Sequence, residues 1–91
     1  MPHPVRFLKS ARKEFHVLLK PVQDDILEKV ELLKEFPYAG VAMDQSYEGY
    51  YSILAWKKQY RIIYQILEND VVEIAYIRHC RRQISLRSVP S

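Results

Sequence analysis

Two apolar runs, Tyr60 to Leu67 and Val71 to His79, are separated by the short polar stretch Glu68-Asn69-Asp70. The second run passes directly into a burst of arginine beside a histidine. Isoleucine, valine and tyrosine dominate both runs, the composition of strands. Asn and Asp tolerate the positive φ of a tight reversal. The segment therefore predicts two adjacent antiparallel strands with cationic side chains held at fixed positions near their end. Such a sheet suits the binding of a phosphodiester.

The rest of the chain is too short to build much more than a cover for that sheet. Its 91 residues form one domain, 1–91, able to bury a single sheet with helices on one face. Hydrophobic residues make up 48% and charged residues 27%, an ordinary globular balance that argues against disorder except at the ends. No apolar run approaches the ~20 residues of a membrane span. The start, Met-Pro-His-Pro-Val-Arg, lacks the apolar core of a secretory signal. A lone Cys80 forms no internal disulfide and fits a reducing, cytoplasmic setting. His3, His16 and His79 are scattered, so no metal-ligand spacing is present, and no cofactor is expected.

Charge is unevenly placed. Met1 to Gly49 carries seven basic and eight acidic residues, a net −1, whereas Tyr50 to Ser91 carries seven basic and three acidic, a net +4. Arg78, Arg81, Arg82 and Arg87 all follow the last acidic residue, Glu73. The positive end implies a polyanion or an acidic protein partner, with a solvated basic tail as the plain alternative.

Ahead of the sheet, Val5 and Phe7 alternate with Arg6 and Leu8 as a short strand. Ser10 then fits the N-cap of a helix of about ten residues, with Ala11, Phe15, Leu18 and Leu19 on its apolar face. Pro21 fits the first turn of a second helix, and Asp24 and Asp25 suit the positive end of its dipole. Val22, Ile26, Val30 and Leu33 form one helical stripe, while Glu28, Lys29, Glu31 and Lys34 look solvated. Phe36-Pro37-Tyr38-Ala39-Gly40 ends that helix, and a loop runs to Gly49. Three strands follow, about Tyr50–Ala55, Tyr60–Leu67 and Val71–His79, the first two joined by Trp56-Lys57-Lys58-Gln59. The expected fold is α+β, in the order β-α-α-β-β-β, a curved and mainly antiparallel sheet with a helical hairpin packed on one face.

Strand alternation predicts where the cations point. Tyr60, Ile62, Tyr64 and Ile66 share one face, and Val72, Ile74 and Tyr76 share one face of the next strand. If these apolar sets meet under the helices, the other side carries Arg61, Ile63 and Gln65 with Glu73, Ala75, Ile77 and His79. Arg61 and His79 should then emerge together on the helix-free side. A one-residue slip would invert this.

With Gly-Tyr-Tyr-Ser-Ile-Leu, Tyr-Arg-Ile-Ile-Tyr-Gln-Ile and Val-Val-Glu-Ile-Ala-Tyr-Ile-Arg-His-Cys-Arg-Arg in this order, the chain resembles the RelE/ParE superfamily of bacterial type II toxins. The resemblance spans nearly the whole chain, including the Phe-Pro-Tyr-Ala-Gly stretch. It implies a curved antiparallel sheet with two helices on one face, a cognate antitoxin that wraps the toxin, and contact with operator DNA only through the antitoxin complex. It also implies one of two activities. RelE-like members cleave mRNA in the ribosomal A site, and ParE-like members poison DNA gyrase without enzymatic chemistry. A toxin that has lost activity and only binds antitoxin is a third possibility.

Metal-free RNA cleavage uses the ribose 2′-OH as nucleophile and needs a base, an acid and cations around the phosphate. On the RelE-like reading, Arg61 and Arg81 match family arginines that clamp phosphate, and His79 is the acid or base. Lys57, Lys58, Arg78, Arg82 and Arg87 are the accompanying RNA-binding residues. The chain departs from RelE in carrying Ser52 and Leu54 where RelE has two lysines, and Arg87 where it has a catalytic tyrosine. The Ile-Arg-His-X-Arg-Arg ending is equally reminiscent of ParE-like proteins. Plain alternatives stand beside these roles. Arg61 can pair with Glu73 across the sheet, His79 can simply end a strand, and Arg81 and Arg82 can bind an acidic antitoxin segment. Tyr60, Tyr64 and Tyr76 read as core, and Trp56 as a cap over the sheet edge.

Overall fold

The computed structural model describes residues 3–80. The chain forms β1 (Val5–Phe7), α1 (Lys9–His16), α2 (Lys20–Glu35), β2 (Val41–Ala42), a 3₁₀ turn at Gln45–Tyr47, β3 (Tyr51–Ala55), β4 (Tyr60–Ile66) and β5 (Val72–His79). The strands make one open sheet in the order β1-β5-β4-β3-β2. Among the described residues, only β1 runs parallel to its neighbour, β5; the remaining pairings are antiparallel. The α+β class and the helical hairpin agree with expectation. The loop before Gly49 contains two elements that its weak pattern did not announce, β2 and the 3₁₀ turn.

Both helices lie on one face. Ala11 of α1 and the full stripe Val22, Ile26, Val30 and Leu33 of α2 are buried against Ala55, Ile62, Tyr64, Val72, Ile74 and Ile77 of the sheet. Burial of a large apolar side chain is worth about 1.5–3 kcal/mol, so this two-layer core is what holds the helices down. Leu19 departs from its expected place: it is the exposed N-cap of α2, not part of α1's buried face. Pro21 sits in the first turn of α2, where its missing N–H costs nothing. Asp24 and Asp25 lie beyond that turn and are held by side chains: Asp24 pairs with Lys20 at 2.7 Å and Asp25 with Lys29 at 3.3 Å.

Tyr64 joins two distant stretches of sequence. Its ring is fully buried, stacked on Tyr51 with centroids 5.6 Å apart. Its hydroxyl donates to the Pro37 carbonyl at 2.8 Å and accepts from the Gly40 N–H at 3.0 Å. The Phe-Pro-Tyr-Ala-Gly stretch is thereby fastened to the Tyr-Arg-Ile-Ile-Tyr strand. Gly40 is required by proximity, since a Cβ there would lie 2.6 Å from both the Ser52 carbonyl oxygen and the Tyr64 hydroxyl.

The edge of β5 is finished by α1. β1 pairs only as far as Ile74, and the Leu8 N–H donates to the Ile74 carbonyl at 2.8 Å. Beyond that point side chains replace backbone. Ser10 Oγ donates to the Ala75 carbonyl at 2.8 Å, and Glu14 Oε1 accepts from the Ile77 N–H at 2.8 Å. Ser10 is therefore not the N-cap of α1. Leu8 occupies that position, with no side-chain cap, and the Ser10 hydroxyl serves the sheet instead.

The turn from β3 to β4 is left-handed along three consecutive non-glycine residues, Trp56, Lys57 and Lys58, with φ of 47°, 55° and 61°. Such residues cost roughly 1–2 kcal/mol each unless tied down. The ties are present: Asp25 of α2 accepts the Trp56 N–H, the indole packs against the core, and Lys57 Nζ sits 4.9 Å from its ring centroid. Trp56 is thus a cap, as its position in the sequence suggested.

Candidate functional site

The register of β4 on β5 determines which side chains share the helix-free face. Tyr60 lies opposite His79, Arg61 opposite Arg78, Ile62 opposite Ile77 and Ile63 opposite Tyr76. The register then shifts, and Tyr64 lies opposite Ile74, Gln65 opposite Glu73 and Ile66 opposite Val72. Ala75 is the extra residue, a β-bulge whose carbonyl Ser10 receives. One inserted residue reverses the facing of everything after it.

The bulge corrects the expected pairing of Arg61 with His79. Below it, Val72 and Ile74 face the helices as alternation predicts. Above it, Ile77 joins the helix-side core and Tyr76 turns to the other face, the reverse of their expected places. Arg78 follows Tyr76 outward, and His79 goes to the helix-bearing side. There the imidazole meets Tyr60 edge-on, with ring centroids 4.9 Å apart. Arg61 and His79 are on opposite faces, and the residue opposite Arg61 is Arg78.

Arg78 is held from two directions. Its guanidinium lies over the Tyr76 ring, 4.7 Å from the centroid, a cation–π arrangement. Its Nε is 3.3 Å from Glu14 Oε2. That contact is close enough for ion pairing but not aligned as a hydrogen bond, so the buried Nε has no hydrogen-bond partner among the described residues. Tyr47, from the 3₁₀ turn, packs edge-on against Tyr76 with centroids 6.3 Å apart. This folds the loop before β3 onto the same face, beside Ile63, which is fully buried there.

Arg61 borders a shallow groove of about 320 Å³, lined also by Gly40, Val41, Ser52 and Leu54. Ser52 and Leu54 lie opposite Ile63 and Arg61, so the groove belongs to the helix-free face. Glu73 does not pair with Arg61. It lies opposite Gln65, accepts the Gln65 amide at 3.0 Å, and takes the Arg6 guanidinium at 2.8 Å. The alternative of a cross-sheet Arg61–Glu73 pair gives way to this bridge over β1, β5 and β4. Lys57 and Lys58 sit at the tip of the β3–β4 turn, with Lys57 drawn onto Trp56. Arg81, Arg82 and Arg87 lie outside the described residues. Cys80 is half-buried, and its N–H donates to the Gln59 carbonyl at 2.8 Å.

Two carboxylates give the fold a pH dependence. The amide of Gln65, then Arg6, holds Glu73 below its ordinary pKa against the opposing effect of burial. The Trp56 N–H, then Lys29, does the same for Asp25. Groups whose folded pKa is depressed contribute stability that is fully present above their unfolded values, about 4.3 for Glu and 3.9 for Asp. That contribution is lost as pH falls through the lower folded values. Urea midpoints should therefore be flat above about pH 5 and drop below about pH 4. Glu73→Gln should flatten part of that drop.

Among the described residues, no helix is long and apolar enough to cross a membrane. No curated protein sequence matches the chain at a significant level. The fold is similar to the toxin–antitoxin complex RelBE2 of Mycobacterium tuberculosis, at 25% identity and TM-score 0.72, covering 87% of this chain and 99% of that one. The isolated Escherichia coli RelE toxin is similar at 20% identity and TM-score 0.69, covering 96% and 98% of the two chains. The chromosomal ParDE system of P. aeruginosa is similar at 15% identity and TM-score 0.65, covering 85% and 95%. A family model described as the ParE toxin of the type II toxin-antitoxin system parDE matches residues 5–84. With that match running from β1 through the arginine cluster, and the α+β sheet shared with RelE and ParDE structures, the chain belongs to the ParE toxin family, within the RelE/ParE superfamily of type II toxins.

Proposed function

We propose that this toxin arrests growth by holding DNA gyrase, the ParE-like mode, and not by cutting mRNA at the ribosome. The observation that carries this reading is the Ala75 bulge, which turns His79 away from Arg61. RNA cleavage through the 2′-OH needs a base and an acid beside the cations. Among the described residues, β4 and β5 present no histidine on the face that bears Arg61 and Arg78; the carboxylate of β5 there, Glu73, is engaged by Arg6 and Gln65, and Glu14, which reaches Arg78 from α1, is engaged by the Ile77 N–H. The arginines of that face can bind an anion or an acidic surface. The match to the ParE family model supports the same branch. The RelE-like departures at Ser52, Leu54 and Arg87 point the same way.

The proposed setting is the bacterial cytoplasm, with a cognate antitoxin as the neutralising partner. Support for the partner comes from the similar RelBE2 structure, itself a toxin–antitoxin complex. The excess positive charge of the C-terminal half favours an acidic antitoxin segment. Operator DNA would be reached through that complex.

Expression of the chain without antitoxin, from a tightly repressed promoter, tests the proposal. Trapped gyrase–DNA breaks and an SOS response should accompany growth arrest, with transcripts full-length by primer extension. Transcripts cut at A-site codons, with gyrase–DNA intact, would instead establish the ribosome-dependent nuclease and overturn the gyrase reading.

A further inference from the structure

We infer that the outer surface of the helix layer docks a second copy of this chain, with α1 of each copy seated on α2 of the other. The two helices carry opposite charge on their outer faces. Opposite its buried side, marked by Ala11, α1 exposes Lys9, Arg12 and Lys13, with His16 continuing the row. At 3.6 residues per turn these four positions fall within about 100° of arc. The one carboxylate of α1, Glu14, is turned instead to the Ile77 N–H and Arg78. Opposite Val22, Ile26, Val30 and Leu33, α2 exposes Asp24, Glu28, Glu31 and Glu35. Those four carboxylates fall within about 60° of arc.

The stability of each helix does not explain this segregation. Lys9 with Lys13, Asp24 with Glu28 and Glu31 with Glu35 are like charges four residues apart, a spacing that opposes the helix. Lys9 opens α1 and Glu35 closes α2, each at the end where the helix dipole disfavours its sign. Lys20 and Lys34 offset Asp24 and Glu31 at 2.7 and 2.8 Å. Among the described residues, Lys9, Arg12, Lys13, Glu28 and Glu35 make no ion pair. The charges are unbalanced within each helix and balanced between them.

That balance identifies the occupant. A polyanion would be drawn to α1 and repelled by α2, and a polycation the reverse. A second copy satisfies both helices at once. Two-fold pairing is self-complementary, so each contact of α1 on α2 occurs twice. The lengths agree: the basic row spans about 10 Å and the acidic row about 16 Å at 1.5 Å per residue. Leu27 and Leu32 are exposed on either side of the acidic row and supply apolar contact for the seated helix. Pairing through this layer leaves the helix-free face of both copies directed outward. The inference is independent of the gyrase reading, and its test is association, not toxicity, so either proposal can fail alone.

Sedimentation equilibrium of the purified full chain over a wide concentration range tests it. The mass should double at low salt, and molar salt, which shortens the Debye length to about 3 Å, should weaken association roughly tenfold or more. Arg12→Glu with Lys13→Glu reverses α1, and Glu28→Lys with Glu35→Lys reverses α2. Each double variant alone should associate roughly a hundredfold more weakly, because symmetry places every reversed charge at two contacts. The chain carrying all four reversals keeps the parent net charge and should pair as the parent does. Circular dichroism checks that every variant is folded.

A parent chain that stays monomeric at all concentrations in low salt would overturn the pairing. So would double variants that associate as tightly as the parent, or a folded four-reversal chain that does not associate. Short duplex DNA is the competing probe. Its uptake by the parent without any doubling of protein mass, lost in Arg12→Glu with Lys13→Glu, would make the basic row an anion site and overturn the pairing likewise.

Discussion

Tyr64→Ala should leave the chain unfolded, or nearly so, at 25 °C. Truncating a fully buried aromatic costs about 3–5 kcal/mol, and this one also abandons two polar groups. Its hydroxyl receives the Gly40 N–H and donates to the Pro37 carbonyl. A buried backbone group left without a partner costs about 1–3 kcal/mol. The total is comparable with the ~5–15 kcal/mol that a whole domain retains. Tyr64→Phe separates the terms. It keeps the ring stacked on Tyr51 and removes only the hydroxyl, so the urea midpoint should fall by the equivalent of about 1–3 kcal/mol with the slope unchanged. A Tyr64→Phe variant as stable as the parent would mean that the Phe-Pro-Tyr-Ala-Gly stretch is not fastened through that oxygen.

The second large effect tests the bulge. Ile77 is 5% exposed and lies in the helix-side core, while Tyr76 faces the other way. Ile77→Asp would place a carboxylate beside Ile62 in the helix-side core, a penalty of several kcal/mol, and should abolish cooperative unfolding. Tyr76→Asp should leave a folded protein with a clear transition, since its new carboxylate meets solvent and the Arg78 guanidinium. Regular alternation without the bulge predicts the reverse order of damage. Circular dichroism of the two purified variants discriminates between them. Tyr76→Asp unfolded and Ile77→Asp folded would restore His79 to the face of Arg61, and with it the case for proton-transfer chemistry.

This contrast also shows what could be read from the sequence and what could not. The α2 stripe was legible because Val22, Ile26, Val30 and Leu33 recur at helical spacing between charged residues, and all four are buried. The strands and turns after Gly49 were legible within a residue, because their turns are polar and their interiors are not. The β2 strand was not legible, because two residues carry no period. Nor was the parallel docking of β1, which no local pattern records.

The facing of the site failed for a specific reason. Between Glu73 and Arg78 the sequence reads Ile-Ala-Tyr-Ile, apolar throughout, so the alternation that would mark an inserted residue is silent there. A signal was nevertheless available. Glu73 and Arg78 are both charged and both need the helix-free side, yet they are an odd number of positions apart. Only an irregularity between them satisfies both. Glu14 and Ser10 had no signal at all. Each reads as an ordinary helix residue, and its partner lies more than sixty positions away.

The finishing of β5 by α1 also bears on how this protein behaves when it accumulates alone. Among the described residues, its sheet terminates in strands of three and two residues, too short to template much intermolecular growth, and the longest strand there is the one whose outer half lacks a strand neighbour. A hydroxyl and a carboxylate occupy backbone positions there that another polypeptide would otherwise seek. Replacing Ser10 and Glu14 together by alanine would uncover that margin, and self-association into β-rich polymers becomes the hazard. Resistance of the unescorted chain to such polymerisation is thus written partly in the first helix.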